Sequence, residues 1–186
     1  KMKYSVSMII NKFDKKENLK YVFFYRNTPS SDGSITKTCF SQWWQGSFIV
    51  NEKKYCCMEQ YMMAEKARLF NDKEIEEKIM ECKYPKRIKA LGRMVRNFNE
   101  NVWNDNKYDI VLRGNYAKFS QDEELKKFII NTKNRVLVEA SPYDSVWGIK
   151  MSSKDNNIEN PHYWRGENLL GFALMEVRDK LIEESI

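Results

Sequence analysis

Within the run Cys57-Met58-Glu59-Gln60-Tyr61-Met62-Met63-Ala64-Glu65-Lys66-Ala67, Glu59, Met62, Met63 and Lys66 fall at i, i+3, i+4 and i+7. On a helix, one carboxylate and one ammonium therefore share a face with two thioethers between them. That face fits two readings. It is the margin of an ordinary amphipathic helix, or the floor of a pocket holding a partly buried carboxylate of tuned pKa. A second group, Asp144-Ser145-Val146-Trp147-Gly148, sets an acid and an indole three positions apart on a loop, and Gly148 allows a ligand's close approach. Asp144 equally fits a turn cap, and Trp147 a plug in the core. Trp103 is either core or a stacking platform.

Composition narrows the chemistry further. The chain has 186 residues and one histidine, His162, whereas zinc and paired-histidine centres need several imidazoles. Carboxylates, Lys, Tyr and Trp are left, with neither metal nor cofactor expected. Cys39, Cys56, Cys57 and Cys82 form no CxxC pair, and adjacent Cys56 and Cys57 are expected on opposite faces of an extended segment, so reduced and mostly buried thiols are expected. Lys+Arg 32 against Asp+Glu 26 leaves +6. Both signs are interleaved without a long basic run, which argues for a few phosphate contacts on a mixed surface rather than a nucleic-acid groove binder. No apolar run approaches the roughly 18–20 residues that span a bilayer, and the start lacks a signal-peptide pattern. A cytoplasmic protein without membrane attachment is expected.

The elements that must position these groups are read from periodicity and punctuation. Tyr4, Val6, Met8 and Ile10 alternate with polar neighbours and predict a strand over 4–10; Tyr21 to Tyr25 predicts another. The polar stretch 28–38 reads as a loop, 39–50 as an aromatic β region, and 51–54 as a turn. Helices are expected over 58–70, over 72–82 with Asp72 as N-cap, and over 85–95 with Pro85 at the first position. Further helices are expected over 101–119, 121–132 and 168–184, and a strand over 135–140. Gly114, in the middle of the long helix, costs about 1 kcal/mol relative to Ala, which points to close approach of another backbone or a ligand. The whole, 1–186, reads as a single α+β domain, helix-dominated, with a small and mostly antiparallel sheet.

The order Phe40-Ser41-Gln42-Trp43, Glu59-Gln60, Lys66-Ala67, Leu91-Gly92-Arg93, Trp103, Gly114-Asn115-Tyr116-Ala117-Lys118-Phe119, Ser141 to Gly148, Trp164 to Gly171 and Leu174 to Arg178 resembles the NADAR/YbiA-like family, over about Tyr21 to Leu181. The resemblance implies a compact α+β domain that cleaves N-glycosidic bonds. Members act on phosphoribosylamino intermediates of riboflavin biosynthesis, and others remove ADP-ribose from modified guanine in nucleic acid. It implies Glu59 and Asp144 as catalytic residues, with Lys66 either covalent at the sugar carbon or a phosphate partner. Substrate contacts are expected from Trp103, Trp147, Gly148, Arg26, Phe24, Asn115 and Lys118. Gln60 stands where many members carry His, and Ile149-Lys150 where others carry Gly or an acid; the stretch 151–165 looks like that of ADP-ribose-type members. These departures bear on the substrate, not on the fold.

The residue types suit that reaction. Cleaving an N-riboside passes through a cation-like sugar centre, which a carboxylate stabilises or for which it activates water. Glu59 is expected at the ribose or the water, Asp144 in an orienting or proton-transfer role at the base or diol, and the indoles of Trp103 and Trp147 against the leaving base or as a wall against water. Arg26, Lys66, Lys118 and Arg165 supply charge for a phosphorylated sugar. The expected partner is a small phosphoribosyl or ADP-ribosyl substrate, with ADP-ribosylated nucleic acid as one carrier of it. The competing reading is a non-catalytic module that binds ADP-ribose or an NAD derivative, which needs no paired carboxylates. His162 is expected to have no catalytic role.

Overall fold

The computed structural model describes residues 1–186. In chain order it has α1 (Val6–Asp14), β1 (Tyr21–Phe24), a 3-10 turn (Lys37–Phe40), β2 (Phe48–Val50), β3 (Lys53–Tyr55), α2 (Met58–Leu69), α3 (Lys73–Glu81), α4 (Pro85–Gly92) and α5 (Glu100–Ser120). It continues with α6 (Glu123–Asn131), β4 (Val136–Glu139), a second 3-10 turn (Pro161–Tyr163) and α7 (Leu169–Glu184). The class is α+β and helix-rich, with two small sheets. No helix is long and apolar enough to cross a membrane.

Three expectations change. The segment predicted as a strand over 4–10 is the start of α1. Val6, Ile9, Ile10 and Phe13 also satisfy i, i+3, i+4 and i+7, and the Ser5 hydroxyl accepts from the Met8 N–H at 3.2 Å, which selects the helical period. The aromatic region 39–50 is strand only from Phe48, because Thr36 caps a 3-10 turn that buries Cys39 and Phe40. The sheet is not mostly antiparallel. β2 and β3 form an antiparallel hairpin around Asn51 and Glu52, whose φ values of 50° and 65° fit the tight turns that match strand twist. β1 and β4 pair in parallel, Tyr21 with Val136 through Phe24 with Glu139, as a long excursion between two strands permits.

Contacts gather in two units, Lys1–Ser41 with Glu123–Ile186, and Gln42–Asp122. In the first, α7 packs on β4 beside β1. Phe24 and Phe128 each lie against Phe40, at ring separations of 5.5 and 5.4 Å. The buried Arg178 guanidinium donates to the Thr132 hydroxyl and to Arg135 O, fastening the end of α6 to the start of β4.

The second unit is built around α2, which packs against α3, α4, α5 and β3. Met58 through Ala64 are all buried, so α2 is enclosed rather than amphipathic. Asp72 caps α3 as expected, accepting from the Ile75 N–H, and also receives the Arg96 guanidinium at 2.7 Å. Gly114 answers to packing: a Cβ there would lie 2.6 Å from both Met58 Sδ and Tyr61 Cδ2. Tyr61 is fully buried and its ring cannot swing away. Gly114→Ala is therefore expected to destabilise the protein by about 1–3 kcal/mol despite Ala's better helix propensity, read as a lower urea midpoint; an unchanged or raised midpoint would contradict this packing.

Candidate functional site

Glu59 stands in the first turn of α2 and is 4% exposed. The helix has no side-chain N-cap; instead the Glu59 N–H donates to Gln42 O at 2.9 Å. The positive end of the helix dipole favours the ionised carboxylate there. Two turns on, Lys66 is half-buried, and its ammonium lies 4.7 Å from the Phe98 ring centroid and 5.6 Å from that of Trp103. Burial pushes the Lys66 amine below the usual lysine range; Glu59 pulls it back up, and Arg93 adds repulsion that lowers it. Glu59, Lys66 and Trp103 therefore belong to one electrostatic neighbourhood. Arg93 and Phe98 join it without having been predicted: Arg93 closes α4 as its C-cap, inside the helix expected over 85–95, and Phe98 lies beyond the expected helix, where no periodicity marks a side chain's direction.

Other expected residues of this unit have defined structural ties. The Asn115 amide is fully buried: Nδ2 donates to Val111 O at 3.0 Å, and Oδ1 accepts nothing from the protein. Gln42 likewise keeps a buried Oε1 without a protein donor. Lys118 is 2% exposed, its ammonium 5.2 Å over the Trp44 ring. Gln60, the departure from the commoner His, is engaged entirely by the fold. Its Oε1 accepts from the Cys56 N–H, and its Nε2 donates to Ile79 O, Met80 O and Cys82 O, satisfying carbonyls at the end of α3. Cys56 and Cys57 do not diverge as expected. Their sulfurs lie 3.8 Å apart, and the shared hydrogen bond holds the Cys56 thiol down to about 7 while pushing the buried Cys57 thiol up.

In the other unit, Asp144 sits half-buried in the loop after β4. Its Oδ1 accepts the N–H groups of Val146 and Trp147, each at 2.8 Å, which leaves Oδ2 without a protein hydrogen bond. The turn-capping role and an available carboxylate oxygen coexist in one side chain. The carbonyls of Val146 and Trp147 accept from Leu169 and Leu170, so the loop caps the N-terminus of α7 with backbone where no side chain does. Asn168, buried and left-handed at φ 53°, extends the arrangement. Its side chain accepts from the Glu139 N–H and donates to Leu137 O, both at 3.0 Å, in the manner of a strand neighbour to β4.

The other expected residues of this unit have these surroundings. A Cβ on Gly148 would lie 2.8 Å from Glu139 O, so the close approach of backbone calls for glycine there. Phe24, expected at the substrate, is 2% exposed and packs on Phe40. Arg26 is exposed, Trp147 is half-buried, and Arg165 donates to Lys150 O. His162 pairs with Asp14 at 2.7 Å, tying α1 to the second 3-10 turn. No group of three or more His, Cys, Asp or Glu side chains converges as a metal site.

The NADAR domain model matches residues 23–182. N-glycosidase R617 of Acanthamoeba polyphaga mimivirus is 43% identical over 169 residues, 88% of this chain and 98% of that protein. The riboflavin biosynthesis protein PYRR, chloroplastic, of Arabidopsis thaliana is 33% identical over 113 residues, 59% of this chain and 17% of that protein. N-glycosidase YbiA of Escherichia coli strain K12 is 28% identical over 135 residues, 73% of this chain and 76% of YbiA. The solved NMR structure of YbiA matches with a TM-score of 0.70 at 27% identity, covering 89% of this chain and 87% of that one. A family match over most of the chain, joined to a matching fold, shows that the chain belongs to the NADAR domain family.

Proposed function

We propose that this chain is an N-glycosidase that hydrolyses the bond between ribose C1 and a base nitrogen, the sugar half being a phosphoribosyl or ADP-ribosyl group. The observation that carries the reading is the neighbourhood of Glu59, Lys66 and Trp103: a buried carboxylate, an amine made easier to deprotonate, and an indole. The names of the R617 and YbiA relatives support the reaction class, and that of PYRR supports a riboflavin-pathway substrate.

As the C1–N bond breaks, its electron pair leaves with the base, which takes up a proton, and positive charge develops at C1. A carboxylate held out of water at Glu59 stabilises that charge or activates the attacking water. Trp103 and Trp147 offer flat faces to a base, and Arg26 and Lys118 supply phosphate contacts. Asp144 has the proton-transfer role, through the Oδ2 that its turn leaves open. In the covalent variant of the reaction, neutral Lys66 bonds to C1 as the base departs. The sugar ring opens to an iminium, and water then releases the sugar and regenerates the amine.

Glu59→Gln is expected to lower turnover by about 10²–10⁴-fold, and Asp144→Asn by a similar factor while keeping the Oδ1 acceptor of the turn. The assay is sugar released from ADP-ribosylated guanosine DNA and from the phosphoribosylamino-pyrimidine, followed by mass spectrometry. Wild-type rates in both variants would remove the carboxylates from the mechanism. Both substrates recovered intact from the wild-type protein would favour the binding-module reading.

Borohydride added during turnover is expected to fix the sugar on Lys66 as a secondary amine. No adduct under active turnover would leave Lys66 as a phosphate partner. The Lys66 titration, followed by the pH dependence of its reductive methylation, is expected to move further down in Glu59→Gln, which removes the attraction for the proton, and up in Arg93→Ala, which removes repulsion. Shifts of the opposite sign would show that other groups control the amine.

A further inference from the structure

At the start of α2 stand two adjacent thiols that the proposed reaction does not use. Cys57 is the N-cap of the helix, a position that favours Ser, Thr, Asp or Asn, yet its side chain caps nothing. Hydrogen bonds to the backbone fix the pair. The Cys56 N–H donates to Gln60 Oε1 at 2.7 Å, the Cys56 carbonyl accepts from the Gly46 N–H at 3.1 Å, and the Cys57 carbonyl accepts from the Tyr61 N–H at 3.3 Å. Held in this way, the two sulfurs meet at 3.8 Å.

The two thiols are unequal. Cys56 is half-buried, whereas Cys39, Cys57 and Cys82 are buried, so a reagent from solvent meets Cys56 first. The hydrogen bond with Cys57 holds the Cys56 thiol down to about 7 against the opposing effect of burial, with help from its own N–H and from the charge of Lys83. The positive end of α2 favours a thiolate there as well. Cys57 keeps its proton in the shared bond, which together with burial pushes its thiol up. Oxidation of Cys56 removes the negative charge that holds this proton. A partly exposed thiolate with a second thiol beside it is the arrangement of a redox-sensing cysteine and its resolving partner.

We propose that Cys56 and Cys57 form a peroxide-reactive dithiol that closes to a reversible disulfide and thereby loosens the start of α2. The Cys56 thiolate attacks one oxygen of hydrogen peroxide; the O–O bond breaks, and the departing hydroxide takes a proton from solvent. The Cys57 sulfur then attacks the Cys56 sulfenic acid, whose S–O bond breaks, and hydroxide leaves with the Cys57 proton as water. The thiols lose two electrons, and the peroxide is reduced to two waters. Neighbouring Cα atoms stand about 3.8 Å apart, less than a disulfide ordinarily bridges, so the bond is strained and small thiols reopen it. Closure draws the sulfurs from 3.8 Å to about 2.0 Å at the residue that begins α2. Glu59, whose N–H is held by Gln42 O, lies two positions on. The dithiol chemistry stands without the glycosidase reading; only its effect on turnover rests on that reading.

The test treats the full chain with hydrogen peroxide and weighs its cysteine-bearing peptides. The peptide that contains Cys56 and Cys57 is expected to lose about 2 Da, two hydrogens, and to regain them with dithiothreitol. Cys57→Ala should prevent closure and leave Cys56 as a sulfenic acid that dimedone captures, while Cys56→Ser should give neither product. Cys57→Ser serves if alanine disturbs the N-cap, with the same dimedone adduct expected. In Cys57→Ala the pH midpoint of Cys56 alkylation should rise, and the rate near neutrality should fall about threefold. In the oxidised wild type, amide hydrogen exchange over 57–61 should quicken and turnover should fall about tenfold, both recovering on reduction.

A disulfide from Cys56 to Cys82 or to a second copy, or dimedone capture spread evenly over the four cysteines, would overturn the pair. A closed disulfide with unchanged exchange would overturn its action on α2. A reduced wild type that cleaves neither substrate counts against the glycosidase reading alone, because the peptide masses and the exchange still decide this proposal.

Discussion

The enclosure of α2 is the constraint on which the candidate chemistry depends. A helix with Met58 through Ala64 all buried has no wet face in its first two turns. A carboxylate placed there, as Glu59 is, loses the solvation that normally holds its charge, and removing such a group from water costs several kcal/mol. The N-terminal dipole of the helix and the cation two turns on offset part of that cost. Lys66 carries the complementary penalty: its burial disfavours the ammonium, and Glu59 restrains the shift. Each group is tuned by the packing of α3, α4 and α5 around the helix that bears them both. The absence of a Cβ at Gly114 lets α5 come close enough to complete that packing.

The second shared device is backbone capping. Neither α2 nor α7 begins with a side-chain cap; the Gln42 carbonyl serves the first, and the carbonyls of Val146 and Trp147 serve the second. A helix capped by a loop carbonyl constrains that loop in return. The consequence reaches Asp144, whose Oδ1 organises the turn that presents those carbonyls. Asn168 completes the arrangement by pairing with β4. A residue that looks replaceable in a sequence is thus the hinge between a strand and a helix.

Much of this was legible from residue types where a single local signal dominates. Asp72 and Pro85 announce the starts of α3 and α4, and Glu59 and Lys66 share a helical face by spacing alone. The misreadings arise where two signals compete. Residues 4–13 satisfy both an alternating and a helical period, and only the Ser5 cap decides between them. The β1–β4 pairing joins residues more than a hundred positions apart, so no local pattern reports that it is parallel. Spacing was also silent on burial. It could not distinguish Phe24, which is core, from Phe98, which is exposed beside Lys66.

Gln60 shows how much can depend on one amide. Its nitrogen donates to three carbonyls at the end of α3, and its oxygen accepts the Cys56 N–H just ahead of α2. Deamidation would replace that donor with a negative oxygen facing three carbonyl oxygens, at a position one residue from Glu59. Chemical ageing at this buried side chain would therefore act as a charge insertion at the start of α2, and it is the enclosure of the amide, away from water, that protects the protein from it.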